Sequence, residues 1–135
     1  MIPPFTSIPA FVMRYTTPRS KIITSTRDMT AVSGDVAYTG VGFKPSSIIC
    51  FYCIAGGQVG GDGMADSALG SQALSRQAAT GIYDIVGSYL IVLEQTAGND
   101  QLATVKTYDS NGFTLTWTKV GDPTGTGELA FLCFR

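Results

Sequence analysis

Residues 113–118 carry the pattern that most restricts this chain: Phe113, Leu115 and Trp117 alternate with Thr114, Thr116 and Thr118. A period of two puts alternate side chains on opposite faces of an extended strand, so this segment predicts one core face and one threonine face. Asp109-Ser110-Asn111-Gly112 ahead of it is a turn signal, because Asn and Gly tolerate positive φ, and residues 105–108 supply the preceding strand. Behind it, residues 121–127 hold too much glycine and proline for regular structure, and residues 129–134 return as a mostly apolar final strand. Residues 104–134 therefore predict three consecutive antiparallel strands.

Upstream, residues 21–26 and 36–38 read as short strands, and Phe43-Lys44-Pro45 as a corner. Residues 46–55, SSIICFYCIA, form the most apolar segment, expected to be a central strand covered on both faces. The glycine-rich stretch 56–70 reads as a long loop, with Gly60, Asp62 and Asp66 as its candidate contact residues. Residues 71–79, SQALSRQAA, hold the only helical propensity. Residues 81–93 read as strand material interrupted at Gly87, and residues 97–100 as a loop. Regular turn signals and almost no helix predict an all-β chain: an antiparallel β-sandwich or jelly-roll-like single domain over residues 19–135.

Residues 1–18 differ in kind. Pro3, Pro4, Pro9 and Pro18 interleave with Ile2, Phe5, Ile8, Phe11 and Val12. Proline blocks helix and central strand alike, which predicts an extended arm, and its apolar side chains would cost free energy if left in water. The expectation is an assembly interface formed by Ile2, Phe5, Ile8 and Phe11, laid across a neighbouring subunit or partner. The alternative is an arm folded back over its own domain.

Charged residues make up 14% of the 135-residue chain, against roughly 25% in ordinary soluble domains. A surface so poor in charge, built from Ser, Thr, Gly, Gln and Asn, does little to hold subunits apart and favours an obligate assembly. The net charge of -1 with no basic run argues against nucleic acid as a partner. The longest apolar run, residues 48–55, falls far short of the ~20 residues that span a bilayer, so no membrane partner is expected. Met1-Ile2-Pro3-Pro4 lacks the basic flank and apolar region of a signal peptide, which predicts a product left in a cytoplasm.

Chemistry is sparse. The chain has no histidine, which removes Ser–His and Cys–His nucleophile pairs and the commonest general base. Asp62, Asp66, Asp84, Glu94 and Glu128 are carboxylate candidates, but no spacing pairs them for acid–base work. Residues 56–63 lack the Gly-Lys-Ser/Thr ending of a phosphate loop. Asp62 and Asp66 could hold a calcium ion only if carbonyls joined them; a contact loop is the simpler reading. Cys50, Cys53 and Cys133 are odd in number. Cys50 and Cys53 on one strand would point to opposite faces, so buried free thiols are expected ahead of a redox or zinc pair. Trp117 could stack on a sugar, but its register with Phe113 and Leu115 favours the core. No catalytic residue, cofactor or metal site is assigned, and the chain is not read as an enzyme.

Two segments carry a resemblance. Gly40-Val41-Gly42-Phe43-Lys44-Pro45-Ser46-Ser47-Ile48-Ile49 and Tyr108-Asp109-Ser110-Asn111-Gly112-Phe113-Thr114-Leu115-Thr116-Trp117 resemble small β-rich virion proteins of tailed bacteriophages, in which a GxGFxPxxV corner precedes a DGFTLxW hairpin. Gly60 to Asp66 is similar to the Gly- and Asp-containing element between them, and Glu128-Leu129-Ala130-Phe131-Leu132 to the last strand. Gly42, Phe43, Pro45, Gly112, Phe113 and Trp117 are thereby fold-defining. Asn111 departs from the pattern, which has aspartate there. The resemblance covers residues 38–134 and implies a virion structural protein. The expected role is a capsid decoration or cement protein, a homo-oligomer and most simply a trimer, bound to the major capsid protein or another virion protein. The alternative is a tail-tip or fibre domain that binds a host surface glycan or protein.

Overall fold

The computed structural model describes residues 19–57, 59–77, 80–81 and 83–135. The arm assigned to residues 1–18, with Ile2, Phe5, Ile8 and Phe11, lies outside the described residues. Ten strands follow: β1 (Ser20–Asp28), β2 (Gly34–Thr39), β3 (Ser47–Ile54), β4 (Gly60–Asp66), β5 (Gln72–Gln77), β6 (Tyr83–Val86), β7 (Ile91–Thr96), β8 (Asn99–Asp109), β9 (Gly112–Val120) and β10 (Thr126–Phe134). They form a six-stranded sheet, β1-β10-β3-β4-β5-β6, and a four-stranded sheet, β2-β9-β8-β7, with every pairing antiparallel. The two pack as a sandwich-like single domain with no helix among the described residues.

The alternation in β9 sets the core. Phe113, Leu115 and Trp117 are fully buried, and Thr114 and Thr116 face outward. Across the interior β10 contributes Leu129, Phe131 and Cys133, and β3 contributes Ile48, Cys50 and Tyr52. Phe131 meets Phe113 edge-on at 5.0 Å between ring centres, and Tyr38 stacks on Phe113 at 5.3 Å. One aromatic cluster therefore spans both sheets.

Five expectations are corrected. β10 does not pair with β9: the loop at residues 121–125 carries the chain to the other sheet, where β10 lies between β1 and β3. β3 is central but covered on one face only, because its sheet has a single partner layer, and Phe51 on the outer side is 59% exposed. The stretch read as a glycine-rich loop contains β4, so Gly60, Asp62 and Asp66 sit on a strand. Its glycines are there for close approach: a Cβ on Gly63 would lie 1.8 Å from the Leu90 carbonyl oxygen, and one on Gly61 2.2 Å from that of Ser75. Within the segment 71–79 read as helical, Gln72–Gln77 is β5, hydrogen-bonded to β4 and β6 and with Leu74 turned into the interior, so packing overrides local preference there. The loop at residues 97–100 shrinks to the Ala97-Gly98 turn, since Asn99 and Asp100 already pair in β8.

The corner and the hairpin meet. Gly40 and Gly42 adopt positive φ of 90° and 85°, and the Gly42 N–H donates to Asn111 Oδ1 at 2.7 Å. Gly112 lies so close to β2 that a Cβ would stand 1.9 Å from the Tyr38 carbonyl oxygen. Phe43 and Pro45, next along the corner, are buried.

Candidate interaction surface

The two outer faces of the sandwich differ in chemistry. On the four-stranded sheet the outward face carries Thr114, Thr116 and Thr118 beside Ala37, Leu102 and a 37%-exposed Val120; there Asp35 accepts from the Thr116 hydroxyl at 2.7 Å and pairs with the Lys106 ammonium. These contacts hold the Asp35 carboxyl below its ordinary range, through the Lys106 and Thr116 hydrogen bonds.

On the six-stranded sheet the register lines up one apolar row across five strands. Ile22 pairs with Leu132, Leu132 with Ile49, Ile49 with Met64, and Met64 with Ala73. Ile22 is 64% and Met64 56% exposed. The next row holds Ala130, Phe51 and Asp62, and ends at Ile85 on the edge strand. A depression of about 390 Å³ lies beside the first row, floored by Ile49, Met64, Ala73 and Phe134. A larger one of about 790 Å³ lies on the other side of Phe51, between Thr24, Cys53 and Glu128. Contiguous apolar surface of this kind marks a contact site more often than scattered single residues do.

Of the sequence candidates, Asp62 stands within this face and Asp66 at its end. Asp62 and Asp66 share one side of an extended strand, which sets them about 13 Å apart, too far to share an ion. Asp66 Oδ1 instead accepts from the Ala68 N–H at 2.6 Å and closes the β4–β5 turn. Among the described residues no group of three or more His, Cys, Asp or Glu could hold a metal ion. Gly42, Phe43, Pro45, Gly112 and Phe113 belong to the corner junction, and Trp117 to the core.

Two polar assemblies that sequence reasoning missed bridge the sheets, the first of them inside the core. Arg27, 8% exposed on β1, places its guanidinium 4.7 Å from the centre of the Trp117 ring and donates to Gln101 Oε1 at 3.2 and 3.1 Å. Gln101, fully buried on β8, donates in turn to the carbonyls of Met29 and Ala31. Burial pushes the Arg27 value down, against Tyr38 and Asp28, which raise it. The signal was a polar residue at a core position of the alternation: Gln101 shares parity with Ala103.

The second assembly joins the sheets at their other side. Arg76 of β5 pairs with Asp84 of β6 at 3.0 Å and with Glu94 of β7. Burial works against the Arg76 charge, but the two carboxylates outweigh it and hold the guanidinium above its usual value. Asp100 faces Glu94 across β7 and β8, and its Oδ1 is buried without a hydrogen-bond partner. Desolvation, with Glu94 second, raises its pKa. Asp84 and Glu94 thus meet through Arg76 as a clamp between sheets.

The three cysteines are free thiols. Burial raises all three: Cys133 to about 11, Cys50 further, and Cys53 with help from Glu128, to which it donates at 3.6 Å. None is a ready nucleophile at neutral pH.

Comparison with protein-family models, with curated proteins and with solved structures gave no match. The functional reading rests on the residues and their placement.

Proposed function

We propose that this chain is a structural protein of a tailed-bacteriophage virion, most simply a capsid decoration or cement protein that self-associates, as a trimer in the simplest case, and links major capsid protein subunits. The observation that carries the reading is the junction of Gly42 with Asn111. The two segments with the phage resemblance, remote in sequence, form one hydrogen-bonded unit here, as expected if they are parts of a single fold signature. The apolar outer face of the six-stranded sheet supports it, because a linker needs surface to give to partners.

The mechanism is linkage by mass action. A protein that binds only the assembled shell stabilises it, and several weak contacts held by one oligomer gain avidity. The test is copy number per purified virion, by quantitative peptide mass spectrometry against the major capsid protein. A fixed stoichiometry with capsid subunits is the expected result, together with lower heat resistance of particles lacking the protein. A handful of copies per particle would favour the tail-tip reading. For that reading the relevant surface is the β6 edge, where Tyr83 and Ile85 are 73% and 82% exposed.

A further inference from the structure

The outer face of the six-stranded sheet carries charge of one sign. Its outward register positions hold the carboxylates of Asp28, Glu128, Asp62 and Asp66 and, among the described residues, no lysine or arginine, because Lys21, Arg27 and Arg76 have the opposite parity in their strands. Two of these carboxylates are occupied: Asp28 accepts from Thr30, and Asp66 from the Ala68 and Leu69 N–H groups. The other two are open. Asp62 makes no hydrogen bond or ion pair among the described residues, and Glu128 accepts only the weak thiol donor of Cys53. Asp62 is the cross-strand neighbour of the exposed Phe51, and Glu128 lines the depression on the other side of that ring. The apolar row from Ile22 to Ala73 is thus bordered by unpaired negative charge.

We propose that this face docks a virion protein other than this chain, through a surface with apolar side chains at its centre and lysine or arginine at its border, the cations meeting Asp62 and Glu128 and one of them lying over the Phe51 ring. This deepens the reading of the chain as a virion linker and rests on it. Charge selects the partner. Two copies joined by this face about a two-fold axis would bring both sets of carboxylates together with no cation between them, whereas a basic border answers them directly. Size sets the strength. Six strands about 4.8 Å apart and about 20 Å long give a projected footprint on the order of 500 Å², short of the roughly 800 Å² per partner of a standard stable complex. One such contact is weak, and a linker holds by several at once.

The test adds the full-length protein to purified particles that lack it and measures bound copies against free concentration. Wild-type binding should weaken as salt rises, because exposed ion pairs are screened. Phe51→Ser, Met64→Ser and the double variant Asp62→Lys/Glu128→Lys should each weaken binding about tenfold or more, and Thr118→Lys on the opposite outer face should bind like the wild type. Trp117 fluorescence checks that each variant is folded, and Asp62→Asn/Glu128→Gln, which should flatten the salt dependence, serves if the charge reversal does not fold. Wild-type binding in the double variants, or loss of binding in Thr118→Lys instead, would overturn the proposal. Sedimentation equilibrium separates a second copy from a different protein: the double variants should keep wild-type self-association, and its loss would also overturn the proposal. Wild-type protein that binds no particle removes the parent reading and this one with it, whereas binding that persists in the double variants removes this one alone.

Discussion

Asn111 Oδ1 accepts the Gly42 N–H at 2.7 Å, and the Asn111 carbonyl accepts the Val41 N–H at 3.3 Å, so a single turn residue holds a corner 69 positions earlier. The side-chain bond needs only an acceptor oxygen, which asparagine and aspartate both present. Asn111→Asp should therefore keep wild-type stability, and Asn111→Ala should lose about 1 kcal/mol in urea unfolding.

Gly63→Ala tests why β4 is rich in glycine. Its Cβ would stand 1.8 Å from the Leu90 carbonyl oxygen, so β4 or the start of β7 must move. A loss of about 3 kcal/mol is expected by chemical denaturation. Gly57→Ala, beyond the strand, meets the Ile54 carbonyl at 3.1 Å and should cost much less.

Arg27 and Gln101 form a polar pin between the sheets, and removing one partner strands the other. Arg27→Ala should cost about 3 kcal/mol, through lost packing on Trp117 and an unsatisfied Gln101 oxygen. Arg27→Lys keeps the charge but not the fork of donors, and should recover only part of that loss. Thermal unfolding followed by Trp117 fluorescence reads both.

The pH dependence has opposing parts. Asp100 has a raised pKa in the folded state, so the fold binds its proton more tightly than the unfolded chain does, and this group's penalty fades as pH falls through the folded value. Asp28 and Asp35 are lowered, by Thr30 and by Lys106, so their contribution is present above the unfolded value and disappears as pH falls through the folded one. Asp100→Asn should raise stability at pH 7 and remove the component that improves on mild acidification. A pH series of unfolding midpoints for both proteins checks the sign.

The thiols should label in order of access. Cys53, half-buried and raised by burial and by Glu128, should react slowly with iodoacetamide at pH 7.5. Cys50 and Cys133 should react only on unfolding. Mass spectrometry of a labelling time course reads the order directly.

What the sequence determined by itself was local. Alternation in β9, turn chemistry at Asn111-Gly112 and the apolar runs in β3 and β10 depend on neighbours a few residues apart, and they were enough to predict an all-β sandwich with Trp117 inside. The outcomes decided by tertiary structure involve residues distant in the chain. Glycines 60, 61 and 63 looked like a loop because glycine permits many conformations, and only the approach of the Tyr52, Ser75 and Leu90 carbonyls, respectively, shows that absence of a side chain was the requirement. β5 looked helical until pairing with β4 and β6 outweighed a propensity of a few tenths of a kcal/mol per residue. The pairing of Arg27 with Gln101, of Arg76 with Glu94, and the apolar row from Ile22 to Ala73 exist only once strand order is fixed, because sheet register, unlike periodicity, is not written in any one segment.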